Sequence, residues 1–142
     1  DGREFQATGA FVPNPHAVVE VDDPHVAGDL LHAPQVTPQT AFPDGVNIEF
    51  VQVLAPGHLR MRVHERGVGE TKACGTGACA AAWVHAWAPS AATGHVPTEV
   101  VVEQPGGAVT ISRSHQGLEL VLTGPAVLVA DGDIDLMAIG LM

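Results

Sequence analysis

Basic residues are scarce in this chain: six lysines and arginines stand against 16 acidic residues among 142, a formal charge of −10. Lys72 is the only lysine, and the five arginines are scattered, so no basic stripe is available to neutralise a phosphate backbone. Nucleic acid is excluded as a partner on that ground. Cysteine is equally sparse. Cys74 and Cys79 lie five apart, a spacing typical of neither a disulfide framework nor a zinc knuckle. A reducing, cytoplasmic setting follows, with no metal expected. No apolar run is long enough for a membrane span: the longest, Ala78–Ala88, is short and is interrupted by His85. There is no methionine, basic leader or apolar signal core before Asp1, which reads as a processed or truncated product. Internal repeats and low-complexity blocks are absent too.

What is present suits a folded domain. The composition is 46% hydrophobic and 15% charged. A chain of this length forms one domain and buries roughly two-thirds of its unfolded surface, with no need of a metal or a disulfide. Most of it reads as strands. Glu4–Val12 is ended by Asn14-Pro15-His16, and Ala17–Val21 by Asp22-Asp23-Pro24. Residues 22–45 are rich in proline and read as irregular connection with one short helix near Val26–Leu31. Asn47–Leu54 and Leu59–His64 alternate on either side of Ala55-Pro56-Gly57-His58, the pattern of a hairpin. Glu99–Glu103, Ala108–Ser112 and Leu118–Leu122 form a meander, turned at Gln104–Gly107 and Ser114–Gly117, and Ala126–Ala130 adds a last strand. Thr76–Trp87 carries no charge on any face, which marks a buried helix, and Pro89 and Ser90 stop it. The fold class is α+β: a mostly antiparallel sheet wrapped around one central buried helix.

The chemistry is concentrated between His64 and Cys79, where a strand passes through a glycine-rich loop into that helix. The free amides at the helix start favour negative charge, and glycines let a ligand approach the backbone. Cys74 stands beside them, so its acidity constant is expected below the ordinary value of about 8.5. The amides of Gly75, Thr76 and Gly77 suit a carboxylate. A thiol next to a carboxylate nest is what proton transfer at an amino acid α-carbon requires. A buried cysteine can equally be a small hydrophobe, and Gly-Thr-Gly a tight entry turn. Cys79, about 140° further round the helix, reads as core packing. The histidines at 25, 32, 58, 64, 85, 95 and 115 lack ligand spacing and read as surface or helix packing. Lys72, two before Cys74, reads as pointing to water.

Three motifs in order, Asn-Pro-His-Ala-Val (14–18), Phe-Pro-Asp-Gly-Val-Asn-Ile-Glu-Phe-Val (42–51) and Glu-Arg-Gly-Val-Gly-Glu-Thr-x-Ala-Cys-Gly-Thr-Gly-Ala-Cys-Ala (65–80), resemble the C-terminal half of the diaminopimelate epimerase family. The resemblance implies two similar half-domains facing across a cleft, each contributing one cysteine, with residues 1–142 forming the C-terminal one. It implies Cys74 as one of two opposed acid/base thiols, with Glu65 and His16 near the reacting centre and its amino group. Gly75 and Thr76 would bind the reacting carboxylate, and Asn14, Asn47 and Arg66 the distal end of a diamino diacid. Each of these has a bland alternative: Arg66 a surface ion pair, Glu65 a strand end, His16 a strand start, the asparagines turn residues. The family uses no cofactor or metal. The missing half-domain is the implied partner, and self-association is an alternative cover for a cleft-facing apolar surface.

Inversion needs one group to take a proton and another to return it on the opposite face, so the 142 residues alone are expected to be inactive. Lys72 is the sole candidate for a pyridoxal-phosphate Schiff base, in a chain too small for the usual pyridoxal folds. A two-thiol proline or hydroxyproline racemase is the nearer rival, and a non-catalytic module binding a carboxylate or a partner stands as a different class. A thiol-redox role is weakest, because no Cys-x-x-Cys pair exists.

Overall fold

A computed structural model of the chain describes residues 2–88, 96–114 and 119–140. Eight strands form one sheet: β1 (Thr8–Val12), β2 (Asn14–Glu20), β3 (Asn47–Ala55), β4 (His58–Glu65), β5 (Gly69–Thr71), β6 (Glu99–Gln104), β7 (Gly107–Arg113) and β8 (Leu120–Thr123). Their order is β1-β2-β3-β4-β6-β7-β8, with β5 paired to β4 off that path. Five pairings are antiparallel, as the sequence suggests, while β2–β3 and β4–β6 are parallel. The sheet curls around α1 (Gly75–Ala82), which contacts β1, β2, β3, β4, β6, β7 and β8. Fold class α+β with a central buried helix is therefore the observed architecture. Among the described residues no helix is long and apolar enough to cross a membrane.

Alanines explain how a helix fits inside the sheet. Ala78, Ala80, Ala81 and Ala82 are wholly buried, and their single methyl groups let strands approach from all sides. Val18, Val51, Leu59, Met61, Val63, Val100, Val102 and Ile111 converge on them from the strands. After Ala82 the helix widens into a π-helical turn, Trp83–Trp87, in which Ala88 N–H donates to Trp83 O at 2.8 Å. Trp87 Nε1–H donates to Pro97 O at 3.0 Å and ties the helix end to the approach to β6. The expected stop at Pro89 and Ser90 lies outside the described residues.

A second, smaller core lies on the sheet's other face, where Ala17, Val19, Leu30, Val46, Ile48 and Phe50 pack under Val36 and Phe42 of the 21–46 connection. The middle of β3 is thus covered on both sides, and five successive residues, Asn47–Val51, are buried. Arg62 holds the connection down: it pairs with Glu70 at 2.7 Å and donates to Gly28 O at 2.9 Å.

Several local expectations are corrected. Asn14-Pro15-His16 does not break a strand; it opens β2, which pairs back on β1 around Pro13, and β1 begins only at Thr8. Proline is tolerated there because Pro15 sits next to the start of its strand. The helix near Val26–Leu31 is a single 3-10 turn, Pro24–Ala27, capped by Asp23 and ended by Gly28. Ala126–Ala130 forms no strand: Val127, Leu128 and Val129 stand exposed, with no strand beside them among the described residues. His64 is not at the surface or on a helix but buried, its Nδ1 2.8 Å from Leu30 O. His58 pairs with Glu103 at 2.9 Å. His95, His115 and most of the turn Ser114–Gly117 lie outside the described residues.

Candidate functional site

The site is built where β4 ends. Val68 N–H donates to Glu65 O at 3.0 Å, closing a tight turn that reverses the chain into β5. Gly67, third in that turn, makes it possible with a φ of +79°, and Gly69, which opens β5 at a φ of +102°, passes so near the connection that a side chain there would meet Leu31 O at 3.0 Å. The loop that follows is pinned from the β6–β7 hairpin. Gly106 N–H donates to Lys72 O at 2.7 Å, and Gln104 Oε1 accepts Cys74 N–H at 2.7 Å. Lys72 itself is exposed, as read from the sequence.

So held, Cys74 becomes the N-cap of α1. Its backbone is extended, and its Sγ accepts Gly77 N–H at 3.3 Å and lies 3.5 Å from Thr76 Oγ1. Gly77 is therefore not free for a ligand, contrary to the sequence reading, whereas Gly75 and Thr76 start the helix with amides that have no intrahelical partner. The acidity expectation is also overturned. Burial pushes the Cys74 thiol up from its ordinary value; the Thr76 and Gly77 hydrogen bonds oppose this, and the charges of Glu65 and Glu49 add to it. Desolvation of a thiolate outweighs the helix amides because the sulfur is nearly enclosed, with 6% of the residue exposed. Alkylation of Cys74 should thus rise with pH through a midpoint above that of an ordinary exposed thiol. A plateau already reached at neutral pH would contradict that. The same sign holds for stability: protection from the raised thiol is complete below the unfolded value and is lost as pH climbs through the folded one.

His16, on β2, is wholly buried, with Nδ1 2.6 Å from Glu49 Oε1 and Nε2 3.0 Å from Asn14 Oδ1. Glu49, on β3, is wholly buried too, and burial raises its pKa against the lowering effect of His16. Sequence reasoning missed it, because the alternation Ile48, Phe50, Gln52, Leu54 assigns Glu49 to a solvent face. Only the fold shows it: the carboxylate lies in the middle of a strand whose two faces are both covered. Glu49 reaches the helix entry, since a methyl group on Gly77 would lie 2.8 Å from Glu49 Oε1 and 3.2 Å from Cys74 Sγ. Gly77→Ala should consequently displace both groups and cost about 1–3 kcal/mol, read as a lower denaturation midpoint. An unchanged midpoint would mean that this contact is slack.

Glu65 faces the helix side with Met61 and Val63, and its Oε1 accepts the Thr71 hydroxyl. Asn47 Oδ1 accepts Arg66 N–H at 2.8 Å, so these two are joined through the backbone. The Arg66 guanidinium turns elsewhere, donating to Asp44 O at 3.0 Å. It borders a cavity of about 370 Å³ between residues 33–43 and the outer face of the sheet, lined also by Val36, Phe42, Ile48 and His64. Neither Cys74, His16, Glu49 nor Glu65 borders that cavity. The fold therefore gathers Cys74, Thr76, Gly75, Glu65, His16 and Asn14 on the helix side. It adds Glu49 and Gln104, and it directs the Arg66 side chain to the other face. Among the described residues no three His, Cys, Asp or Glu side chains are grouped to hold a metal ion.

Comparison with known proteins gives the chain its family. Residues 10–129 match the model of the diaminopimelate epimerase family. A diaminopimelate epimerase from Streptomyces coelicolor is 49% identical over 136 residues, covering 94% of this chain and 46% of that protein. One from Stutzerimonas stutzeri is 40% identical over 136 residues, covering 96% and 48%. A solved PhzC/PhzF protein from Clostridium difficile aligns over 78% of this chain and 40% of its own, with a TM-score of 0.46 and 18% identity. The chain spans about half the length of the curated relatives it matches. With the family's motifs spread from Asn14 to Ala80 and a match running over most of its length, the chain belongs to the diaminopimelate epimerase family.

Proposed function

We propose that this chain supplies one half of a cofactor-independent, two-thiol site that converts LL-2,6-diaminopimelate to the meso form, and that it is the C-terminal domain of a two-domain epimerase. The observation that carries the reading is the seat of Cys74: a single thiol capping a buried helix, with the first helical amides, of Gly75 and Thr76, beside it and Glu65 close enough to act on its charge.

Removing an α-proton without a Schiff base leaves a carbanion that only the site can stabilise. The amides of Gly75 and Thr76 aim the positive end of α1 at the carboxylate whose negative charge grows as the proton leaves. Cys74, whose neutral form is favoured by burial, is suited to deliver the proton on its face. The partner thiol, on the other half-domain, takes the proton when this one gives it and gives it when this one takes it. Glu65 and His16 lie near the reacting centre and its amino group; Asn14, Asn47 and Arg66 hold the distal end. For Arg66 that role requires its guanidinium to leave the carbonyl of Asp44.

The test is α-proton exchange into LL-diaminopimelate in heavy water, followed by NMR. It compares this chain alone with this chain assembled with the N-terminal half of the Streptomyces coelicolor relative. Exchange with inversion by the assembled pair, and none by the chain alone, is expected. Full turnover by the chain alone overturns the half-site. Silence from an assembled pair sinks the substrate and favours a proline-type racemase or a binding module.

A further inference from the structure

Gln104 has no part in the chemistry above, yet its side chain reaches across 30 residues to the backbone of Cys74. An N-cap residue has two polar groups to settle: a side chain that accepts the N–H of the third helical residue, and an N–H of its own. In a capping box both are met locally, because the third helical residue carries a side chain that reaches back to the cap. Here the first half is in place, with Cys74 Sγ accepting Gly77 N–H at 3.3 Å. The second half is closed off. Position 77 is glycine, and a side chain there would meet Glu49 Oε1 at 2.8 Å and Cys74 Sγ at 3.2 Å. The acceptor comes instead from the end of β6, where Gln104 Oε1 takes Cys74 N–H at 2.7 Å. A backbone N–H is met only by the oxygen of a side-chain amide, so the orientation of that amide is settled.

The grip has a second point. Two residues further along the hairpin, Gly106 N–H donates to Lys72 O at 2.7 Å, and a side chain on Gly106 would meet that oxygen at 3.0 Å. Gln104 pairs with Gly107 across the turn Pro105-Gly106, so both contacts are made by one tight corner of the sheet. Lys72 and Cys74, two apart on the loop, are thereby fastened to Gly106 and Gln104, two apart on the hairpin. The charges of Glu65 and Glu49 already oppose a thiolate at Cys74. A neutral amide holds the backbone without adding a third negative charge.

We propose that Gln104 is a positioning residue: by accepting Cys74 N–H from the β6–β7 hairpin, it fixes the backbone from which the thiol and the amides of Gly75 and Thr76 are aimed. This deepens the proposed function and rests on it for its catalytic consequence. Each proton transfer changes the charge on Sγ, and a loop free to repack around each charge state would add that reorganisation to the barrier. A backbone fastened at Lys72 and Cys74 stays in place in both states.

The test has two arms. Hydrogen exchange of the Cys74 amide, followed by NMR of the chain alone, reads the contact directly and needs no substrate. The amide should be protected in the unmodified chain. Gln104→Leu, similar in size but without an acceptor, should lose about five- to tenfold of that protection, the worth of one hydrogen bond. Gln104→Glu, which keeps an acceptor oxygen, should restore it. In the assembled pair, Gln104→Leu should lower kcat by about 10–100-fold, with a smaller change in KM, as expected for a displaced group at a reacting centre. In a Cys74→Ala background the same substitution should cost nothing further, because its effect passes through Cys74. A freely exchanging Cys74 amide in the unmodified chain overturns the proposal whether or not any variant folds. An unchanged kcat in Gln104→Leu overturns it as well, as does a loss confined to KM or one repeated in full without the thiol. Because the first arm uses no substrate, failure of the epimerase reading would leave the exchange result intact.

Discussion

Cys74→Ala, in the chain assembled with its N-terminal counterpart, is expected to lose about 10²–10⁴-fold in epimerisation, the range for removing a general acid or base. Cys74→Ser separates the chemistry from the architecture. Serine can still accept Gly77 N–H and cap α1, so the serine variant should keep the stability of the unmodified chain. Alanine, which removes the cap, should cost about 1 kcal/mol. Both should be equally poor catalysts, because a hydroxyl is far too weak an acid to replace a thiol. Measured together, turnover and denaturation midpoint give a two-by-two outcome. If serine were to retain most of the turnover, Cys74 would be no more than a cap, and the proposed proton transfer on this face would fall.

The largest effect on stability is expected at Leu59. It is wholly buried at the start of β4, opposite Val53 on β3 and Val102 on β6, so one side chain ties three strands to the helix. Leu59→Ala should cost about 2–5 kcal/mol, the loss of transfer free energy together with the cavity left behind. A domain has about 5–15 kcal/mol in total, so this variant should unfold at a much lower urea concentration or fail to accumulate folded. Phe11→Ala is the control: Phe11 is 77% exposed, and its removal should shift stability by no more than about 0.5 kcal/mol. The contrast matters for the site, because β4 carries Glu65 at its far end and holds β3, with Glu49, in register.

Where a local pattern had a single physical cause, it could be read. The β3–β4 hairpin follows from alternation around Pro56-Gly57, and the central helix from a run of small uncharged residues that only a core accepts. Where two causes compete, the reading failed. Asn14-Pro15-His16 has the composition of a turn, yet pairing with β1 and β3 draws it into a strand. Ala126–Ala130 has the composition of a strand, yet the described chain offers it no neighbour. The site shows the same division. The family motifs singled out Cys74, Glu65 and His16, and the fold brings all three to the helix side of the sheet. Glu49 was hidden because alternation reveals one buried face and β3 has two. Gln104 was hidden because a side chain that reaches a backbone amide 30 residues away leaves no mark on local composition. The sign of the Cys74 shift required knowing how closely the sulfur is enclosed, which belongs to the assembled core.

The route by which the chain reaches this arrangement is constrained by the two parallel pairings. β3 and β4 are joined by a two-residue turn and can meet early, but β2 must wait for β3 across residues 21–46. β6 must likewise wait for β4 while α1 is laid down between them in sequence. Pairings between distant segments exact their loop-closure entropy before they return any contact, so they come late. The helix is enclosed only when both crossovers have closed, and His16, Glu49 and Cys74 first meet at that moment. A refolding experiment that follows Trp87, buried against Pro97 at the end of the helical run, should therefore register one slow step that coincides with protection of Cys74 from alkylation. The β3–β4 hairpin amides should be shielded from hydrogen exchange well before it. The buried cluster around Cys74 is the last thing its folding makes.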